Sequence, residues 1–327
     1  MGRLLTDSFG RTMTYLRVSV TDRCNFACVY CAPPEGIPVI DHEHLLDFDE
    51  IARVVRIFLE MGGRKVRLTG GEPLLRPQLE VLVARLSVFP GLEDMALTTN
   101  GFLLERCAAS LKAAGLRRVN VSIDSLQRER FAALTRRDAL EKVWGGIEAA
   151  LDVGLKVKLN AVAVDGLSEE DMVGFGELAR RRPIEVRFIE FMPLCGGGWD
   201  QTKMFPIPKL RATLLKHFDL VELPRGSNCA QSYRIAGGVG TIGIIASMTE
   251  PFCDSCTRLR LTADGKLRPC LFSNIEIDLR SLLRHDASDE RIRDAIHQAV
   301  VEKPVGHGIT LPLSDATNLP RIKSFGG

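Results

Sequence analysis

Arg17–Cys31, RVSVTDRCNFACVYC, is the stretch that fixes how the chain is read. It sets Cys24, Cys28 and Cys31 with three and then two residues between them, directly after an alternating apolar run that predicts a β-strand. Such spacing is a ligand spacing. Three thiolates on a short loop can each hold one iron of a four-iron cubane, which leaves the fourth iron open to a small molecule. Zinc and unrelated buried thiols are the plainer alternatives. Structural zinc normally closes with four protein ligands in paired CxxC units, so Cx3Cx2C with Tyr30 inside it fits zinc poorly.

Outward from this loop the chain alternates. The segment 47–61 places Ile51, Val54, Val55, Phe58 and Leu59 on one helical face. Strands are predicted at 65–69, 95–98, 118–123, 157–164 and 184–191, with helices at about 78–88, 103–114, 139–153 and 170–181 between them. With the strand before the cysteines, six strands alternate with helices, which implies a parallel sheet wrapped by helices, either open and doubly wound or a full or partial barrel. Motif placement favours the barrel. The cysteines, Gly70–Pro73, Thr98–Gly101, Asp124, Asn160 and Met192 all fall at strand carboxyl ends, the face on which such barrels build their sites. After Met192 a Gly- and Pro-rich loop precedes one helix at 209–218, and from about Cys229 short alternating runs, the Asp264-Gly265 turn and two late helices suggest a small α+β cap.

The chain has 327 residues, 45% of them apolar, and reads as globular. Forty-three basic against forty-one acidic residues leave a net charge of +2, so no global field favours nucleic acid or a membrane surface, and any anion site must be local. Nine cysteines without a secretory leader predict thiols kept reduced in a cytoplasm.

Cys253, Cys256 and Cys270 form a second set, spaced by two and thirteen residues around the Asp264-Gly265 turn. Zinc completed by Cys195, Cys229 or a histidine competes with a second open-iron cluster, and spacing alone does not decide between them. Cys107 and Cys229 read as ordinary thiols. No GxxxxGK[ST] loop is present, so a phosphate would have to be met by side chains. Arg17, Lys65, Arg67 and Arg187 lie on or beside predicted strands, and Arg258 and Arg260 share one face of another. A cation pointing into a barrel is costly unless an anion pairs it.

The CxxxCxxC loop matches in full the signature of the radical S-adenosylmethionine (SAM) superfamily, and Gly70, Gly71, Glu72 and Pro73 resemble that superfamily's second motif, at which the backbone meets the amino group of SAM. Taken together, LTDSFGRTMTYLRVSVTDRCNFACVYC, VRLTGGEPLLR, LTTNG, VSID, VRFIEFMP, CxxCTRLRLTADGKLRPCLF and the terminal Gly-Gly make the whole chain similar to the GTP 3′,8-cyclase family of molybdenum-cofactor biosynthesis. The resemblance implies a partial (β/α)6 TIM-type barrel over residues 1–228 with an amino-terminal [4Fe-4S] cluster, and a carboxyl-terminal region, 229–327, capping the barrel with a second [4Fe-4S] cluster whose open iron holds the purine of GTP. SAM contacts then fall on Tyr30, Gly71, Ser122 and Met192. GTP contacts fall on Arg17, Arg67, Thr98, Lys158, Arg258, Leu259 and Arg260, with Lys65 and Arg187 as further phosphate candidates.

The same resemblance implies a lyase in which a 5′-deoxyadenosyl radical takes the ribose 3′ hydrogen and the sugar radical attacks C8. Arg17 and the Gly326-Gly327 tail reaching into the barrel would serve that chemistry. Expected partners are GTP, a reductant such as flavodoxin or ferredoxin, a cyclic pyranopterin monophosphate synthase downstream, and a second copy in a homodimer. Cys195 and the triple glycine of PLCGGGW depart from the family pattern and put the contacts of that loop in doubt. A peptide maturase would call for more auxiliary cysteines, and a zinc-bearing nucleic-acid adaptor for a basic, aromatic surface.

Overall fold

The computed structural model describes residues 5–31, 39–194, 199–225 and 229–309. Six parallel strands lie side by side in chain order: β1 (Tyr15–Ser19), β2 (Lys65–Thr69), β3 (Asp94–Thr99), β4 (Arg118–Ser122), β5 (Lys156–Ala163) and β6 (Ile184–Glu190). The crossovers carry α1 (Phe48–Glu60), α2 (Leu79–Ser87), α3 (Leu104–Ala113), α4 (Arg128–Thr135) with α5 (Leu140–Asp152), and α6 (Glu169–Arg181). The predicted stripe holds, since Ile51, Val54, Val55, Phe58 and Leu59 are all buried. Asp47 and Glu50 close a reciprocal capping box that fixes where α1 starts, satisfying amides the first turn would otherwise leave open.

α7 (Ile207–His217) and β7 (Leu220–Glu222) lead into the region from residue 229 on, with β8 (Gln231–Ile235), β9 (Thr241–Ile245), β10 (Arg258–Leu261), β11 (Lys266–Arg268), β12 (Ile277–Asp278), α8 (Leu279–Arg284) and α9 (Asp289–Val301). Its strands prolong both edges of the same sheet, in the order β12-β11-β10-β1-β2-β3-β4-β5-β6-β9-β8-β7. β9 pairs parallel with β6 and β10 parallel with β1, so β10, β1 to β6 and β9 run in one direction. No ladder joins β9 to β10 among the described residues, and the connection 246–257 carries the chain from one edge of the sheet to the other. That connection holds Cys253 and Cys256.

Helix α4 escaped the sequence reading because its apolar periodicity is faint, with only Phe131 and Thr135 buried along it. Its position matters for the site.

Candidate metal and substrate site

The first cysteine loop leaves the carboxyl end of β1 and is held from outside by α4, whose last carbonyls accept its amides: Ala27 donates to Thr135 at 3.4 Å and Val29 to Leu134 at 2.9 Å. Phe26 anchors the same loop edge-on to Phe102 and Phe131, at 6.0 and 6.2 Å between ring centroids. Thus held, Cys24, Cys28 and Cys31 line one cavity of about 170 Å³ together with Tyr30, Gly71, Thr98, Ser122 and Met192. The four residues expected to meet SAM are brought together there, and Thr98, expected at GTP, stands among them. Gly71 is required by close approach: a Cβ would lie 2.4 Å from the Arg23 carbonyl oxygen.

Two buried carboxylates brace this cavity. Glu72 is fully buried and accepts from the Leu74 amide at 3.0 Å, the Thr99 hydroxyl at 2.7 Å and the Asn100 amide at 2.6 Å. Burial pushes its carboxyl up to about 7 in spite of those bonds. Asn100, placed by this network, reaches back to Asn25 Oδ1 at 2.7 Å and Cys24 Sγ at 3.9 Å. Asp124 accepts the Tyr30 hydroxyl and the Val162 amide, and burial pushes it up to about 6.

Cys253, Cys256 and Cys270 line a second cavity of about 140 Å³, which shares Asn160, Ile189 and Met192 with the first. Arg17, Arg67, Arg187, Arg258, Arg260 and Lys303 also line it, and no carboxylate stands among its described lining residues. Strand register explains the concentration of charge. Arg17 lies opposite Arg67 on β2 and opposite Arg260 on β10, so three guanidinium groups form one row across adjacent strands. Like charges directly opposite are destabilising, and here Arg17 and Arg260 are buried and Arg67 half-buried. Burial, then Arg260 and Arg67, lowers the affinity of Arg17 for its proton well below the usual, and burial followed by Arg258 takes Arg260 down to about 10. Burial would raise the Cys256 thiol, but Arg258 and Lys303 outweigh it and bring it to about 6, which favours thiolate.

A third cavity of about 140 Å³ opens beneath the second and shares Arg17, Arg67, Arg187, Cys229, Phe252, Cys256 and Arg258 with it. Lys65 and Lys158 line this lower cavity and not the upper one. Lys158 is ion-paired with Glu185. Leu259 is fully buried in the apolar core, which leaves only its main chain for a ligand. Cys107 sits in α3 against the core, as an ordinary thiol should. Cys229 lines both the second and the third cavity, where the arginines favour its thiolate although burial opposes it. Cys195, Gly326 and Gly327 lie outside the described residues.

The residues fit the groups that the motifs imply. Each cysteine set lines one cavity, the glycine at position 71 leaves room that a Cβ would fill, and six cations line the second cavity with no carboxylate among its described lining residues. Sequence reasoning missed Lys303, whose lone position after α9 carries no motif, and the bracing role of Glu72, which reads as part of a turn.

Comparison with known proteins agrees. Residues 18–179 match the Radical SAM superfamily and 184–309 match Molybdenum Cofactor Synthesis C. The chain is 47% identical over 308 residues to a GTP 3′,8-cyclase of Heliobacterium modesticaldum, covering 93% of this chain and 94% of that protein. It is 46% identical to the Pelotomaculum thermopropionicum GTP 3′,8-cyclase over 97% of this chain and 99% of the other. Molybdenum cofactor biosynthesis protein 1 of Drosophila melanogaster is 43% identical, and the chain spans 55% of its length. Among solved structures, Streptococcus suis SuiB bound to S-adenosylmethionine superposes with a TM-score of 0.60 over 85% of this chain and 66% of that one, at 14% identity, a likeness of fold. Near-half identity along almost the full length of such relatives, on a site of this composition, places the chain in the GTP 3′,8-cyclase family of radical SAM enzymes.

Proposed function

We propose that the chain converts GTP to (8S)-3′,8-cyclo-7,8-dihydroguanosine 5′-triphosphate, as a lyase acting in the first step of molybdenum-cofactor biosynthesis. The observation that carries this reading is the second cavity: six buried or half-buried cations with no carboxylate among the described lining residues, walled by three cysteines and opening toward the Cys24–Cys31 cavity. A nucleoside triphosphate is an anion of matching charge, and a purine is a ligand that an open iron can hold.

Cys24, Cys28 and Cys31 would hold the iron–sulfur cluster, and Cys253, Cys256 and Cys270 a second one; reductive cleavage of SAM at the first supplies the radical chemistry. Tyr30, Gly71, Ser122 and Met192 would seat SAM. Arg17, Arg67, Arg187, Arg258 and Arg260 would grip GTP from the second cavity, and Lys65 and Lys158 its phosphates from below, while Thr98 and the Leu259 main chain orient it. Asn160, fixed by a 2.9 Å bond from Arg187 Nε, stands on the wall the two cavities share and would keep the ribose 3′ position turned toward SAM. A flavodoxin or ferredoxin would supply the electron, and a cyclic pyranopterin monophosphate synthase would take the product. The Gly326-Gly327 end is proposed to reach the reacting centre beside Arg17.

Anaerobically reconstituted protein supplied with SAM, GTP and dithionite should yield 5′-deoxyadenosine and cyclised product, with iron and sulfide near eight per chain. Stoichiometric zinc without iron would overturn the reading. Removing Gly326 and Gly327 should leave 5′-deoxyadenosine formation in place and stop cyclisation, and full cyclisation without them would remove the tail from the mechanism.

A further inference from the structure

Two buried cations outside the substrate-gripping arginines hold the backbone of the second cysteine set. Arg11 sits in the tight turn 7–11, where Asp7 Oδ1 accepts from the amides of Phe9 and Arg11 at 3.0 and 2.8 Å and Asp7 Oδ2 accepts from Arg11 Nε at 2.6 Å. So aimed, its fork donates to the carbonyls of Cys253 and Val305 through Nη1, at 2.9 and 2.8 Å, and to that of Pro304 through Nη2 at 2.7 Å. Lys303 is 3% exposed and donates Nζ to the carbonyls of Arg258, at 2.9 Å, and Pro269. Arg258 lies two residues after Cys256, and Pro269 immediately before Cys270.

Each of the three cysteines therefore has a buried cation bonded to its own carbonyl or to one within two residues of it. The segment Lys303–Val305 ties both cations together, and it leads toward the carboxyl-terminal tail. Pro269, Pro304 and Val305 lie outside every helix and strand, so no ladder serves their carbonyls and the two cations take that place.

We propose that Arg11 and Lys303 are positioning residues that preform the three-thiol arrangement of Cys253, Cys256 and Cys270 and hold the exit of α9 against it. The proposal rests on the reading of those cysteines as a cluster site. It gives Arg11 a role that lysine cannot fill, because a single ammonium does not present the planar fork that reaches Asp7 and three carbonyls at once. Lys303 also lines the cavity of the three cysteines, where its charge would offset that of thiolate ligands.

The test uses the full chain with Cys24, Cys28 and Cys31 all changed to Ala, so that only the second site can take iron. After anaerobic reconstitution this parent should hold about four irons, and R11K and K303M placed in it should each lose iron to a chelator at least tenfold faster, with an altered electron paramagnetic resonance signal on adding GTP. R11K in the otherwise wild-type chain should leave reductive SAM cleavage in place, which a general loss of fold would abolish, and K303M should keep the parent's far-ultraviolet circular dichroism. If the parent takes up no iron, the cluster reading falls and this proposal with it. If the parent holds iron and both variants retain it as long, with unchanged spectra, the positioning role alone is overturned. Should R11K fail to fold, equal retention in K303M still overturns the proposal and rapid loss supports it.

Discussion

Tyr30 donates a hydrogen bond from its hydroxyl to Asp124 Oδ2 at 2.6 Å, and Asp124 Oδ1 accepts one from the Val162 amide at 2.9 Å, so one buried carboxyl ties the first cysteine loop to the ends of β4 and β5. All three residues line the Cys24–Cys31 cavity. Tyr30→Phe removes one of the two bonds to a group already costly to ionise, and frees the loop on one side. We expect SAM to bind about tenfold more weakly, in line with roughly 1–2 kcal/mol for a buried hydrogen bond to a charged partner. Equilibrium binding of SAM to the reconstituted variant measures this, and unchanged affinity would show that the bond does not shape the site.

Glu72 predicts a pH dependence of stability. Burial raises its carboxyl from the ordinary 4.5 to about 7, so between those values the folded chain keeps a proton that the unfolded chain has lost. The stability this group contributes is therefore fully present below about 4.5 and is lost as pH rises through 7. Glu72→Ala leaves the Leu74 and Asn100 amides and the Thr99 hydroxyl without their acceptor, at a cost of about 3 kcal/mol at pH 5. The lead of the wild type over this variant should shrink by roughly 2–3 kcal/mol between pH 5 and pH 8. Urea melts of both proteins at the two pH values decide it, and a lead that grows with pH contradicts the assignment.

Much of this was legible in the sequence, and the physical reason differs from part to part. The six strands and their helices announced themselves because each buries an uninterrupted apolar face, as the stripe from Ile51 to Leu59 does, and the cysteine spacing carried its chemistry openly. Helix α4 did not, since it buries little and serves mainly through two terminal carbonyls. Nor could the sequence tell that β9 and β10 extend opposite sides of one sheet, because pairing partners 56 residues apart, such as Glu185 and Thr241, or 243 apart, such as Leu16 and Leu259, leave no local periodicity. Arg11 and Lys303 were silent for the same reason: their partners are main-chain carbonyls, which every residue owns. The separate placing of Lys65 and Lys158 below the arginine row follows from strand register, and it was invisible until the strands were paired.

Arg258 and Arg260 offer a way to test substrate binding apart from SAM cleavage. Both line the second cavity, while neither lines the Cys24–Cys31 cavity. Arg258→Ala or Arg260→Ala should each weaken GTP by about 2 kcal/mol, close to thirtyfold, and leave reductive SAM cleavage largely intact. Isothermal titration with GTP and an assay of 5′-deoxyadenosine measure the two sides. Parental GTP affinity in both variants would remove the arginines from the anion site.

Glu185 makes the opposite prediction. It is the partner that neutralises Lys158 and stands 3.9 Å from Arg187 in the lower cavity, and although burial would raise its carboxyl, Lys158 and then Arg187 outweigh that and keep it ionised. At the proposed site, a triphosphate would have to compete with this carboxylate for both cations. Replacing it by Gln keeps the shape and removes the competitor, so Glu185→Gln should bind GTP about three- to tenfold more tightly, an effect on the order of 1 kcal/mol that diminishes at high salt. The same change leaves two partly buried cations uncompensated when no nucleotide is present, so the ligand-free protein should melt earlier and recover more on adding GTP than the wild type does. Paired binding and melting curves at low and high salt test both halves. Weaker GTP binding in Glu185→Gln would mean that the carboxylate positions Lys158 for the phosphates instead of competing with them.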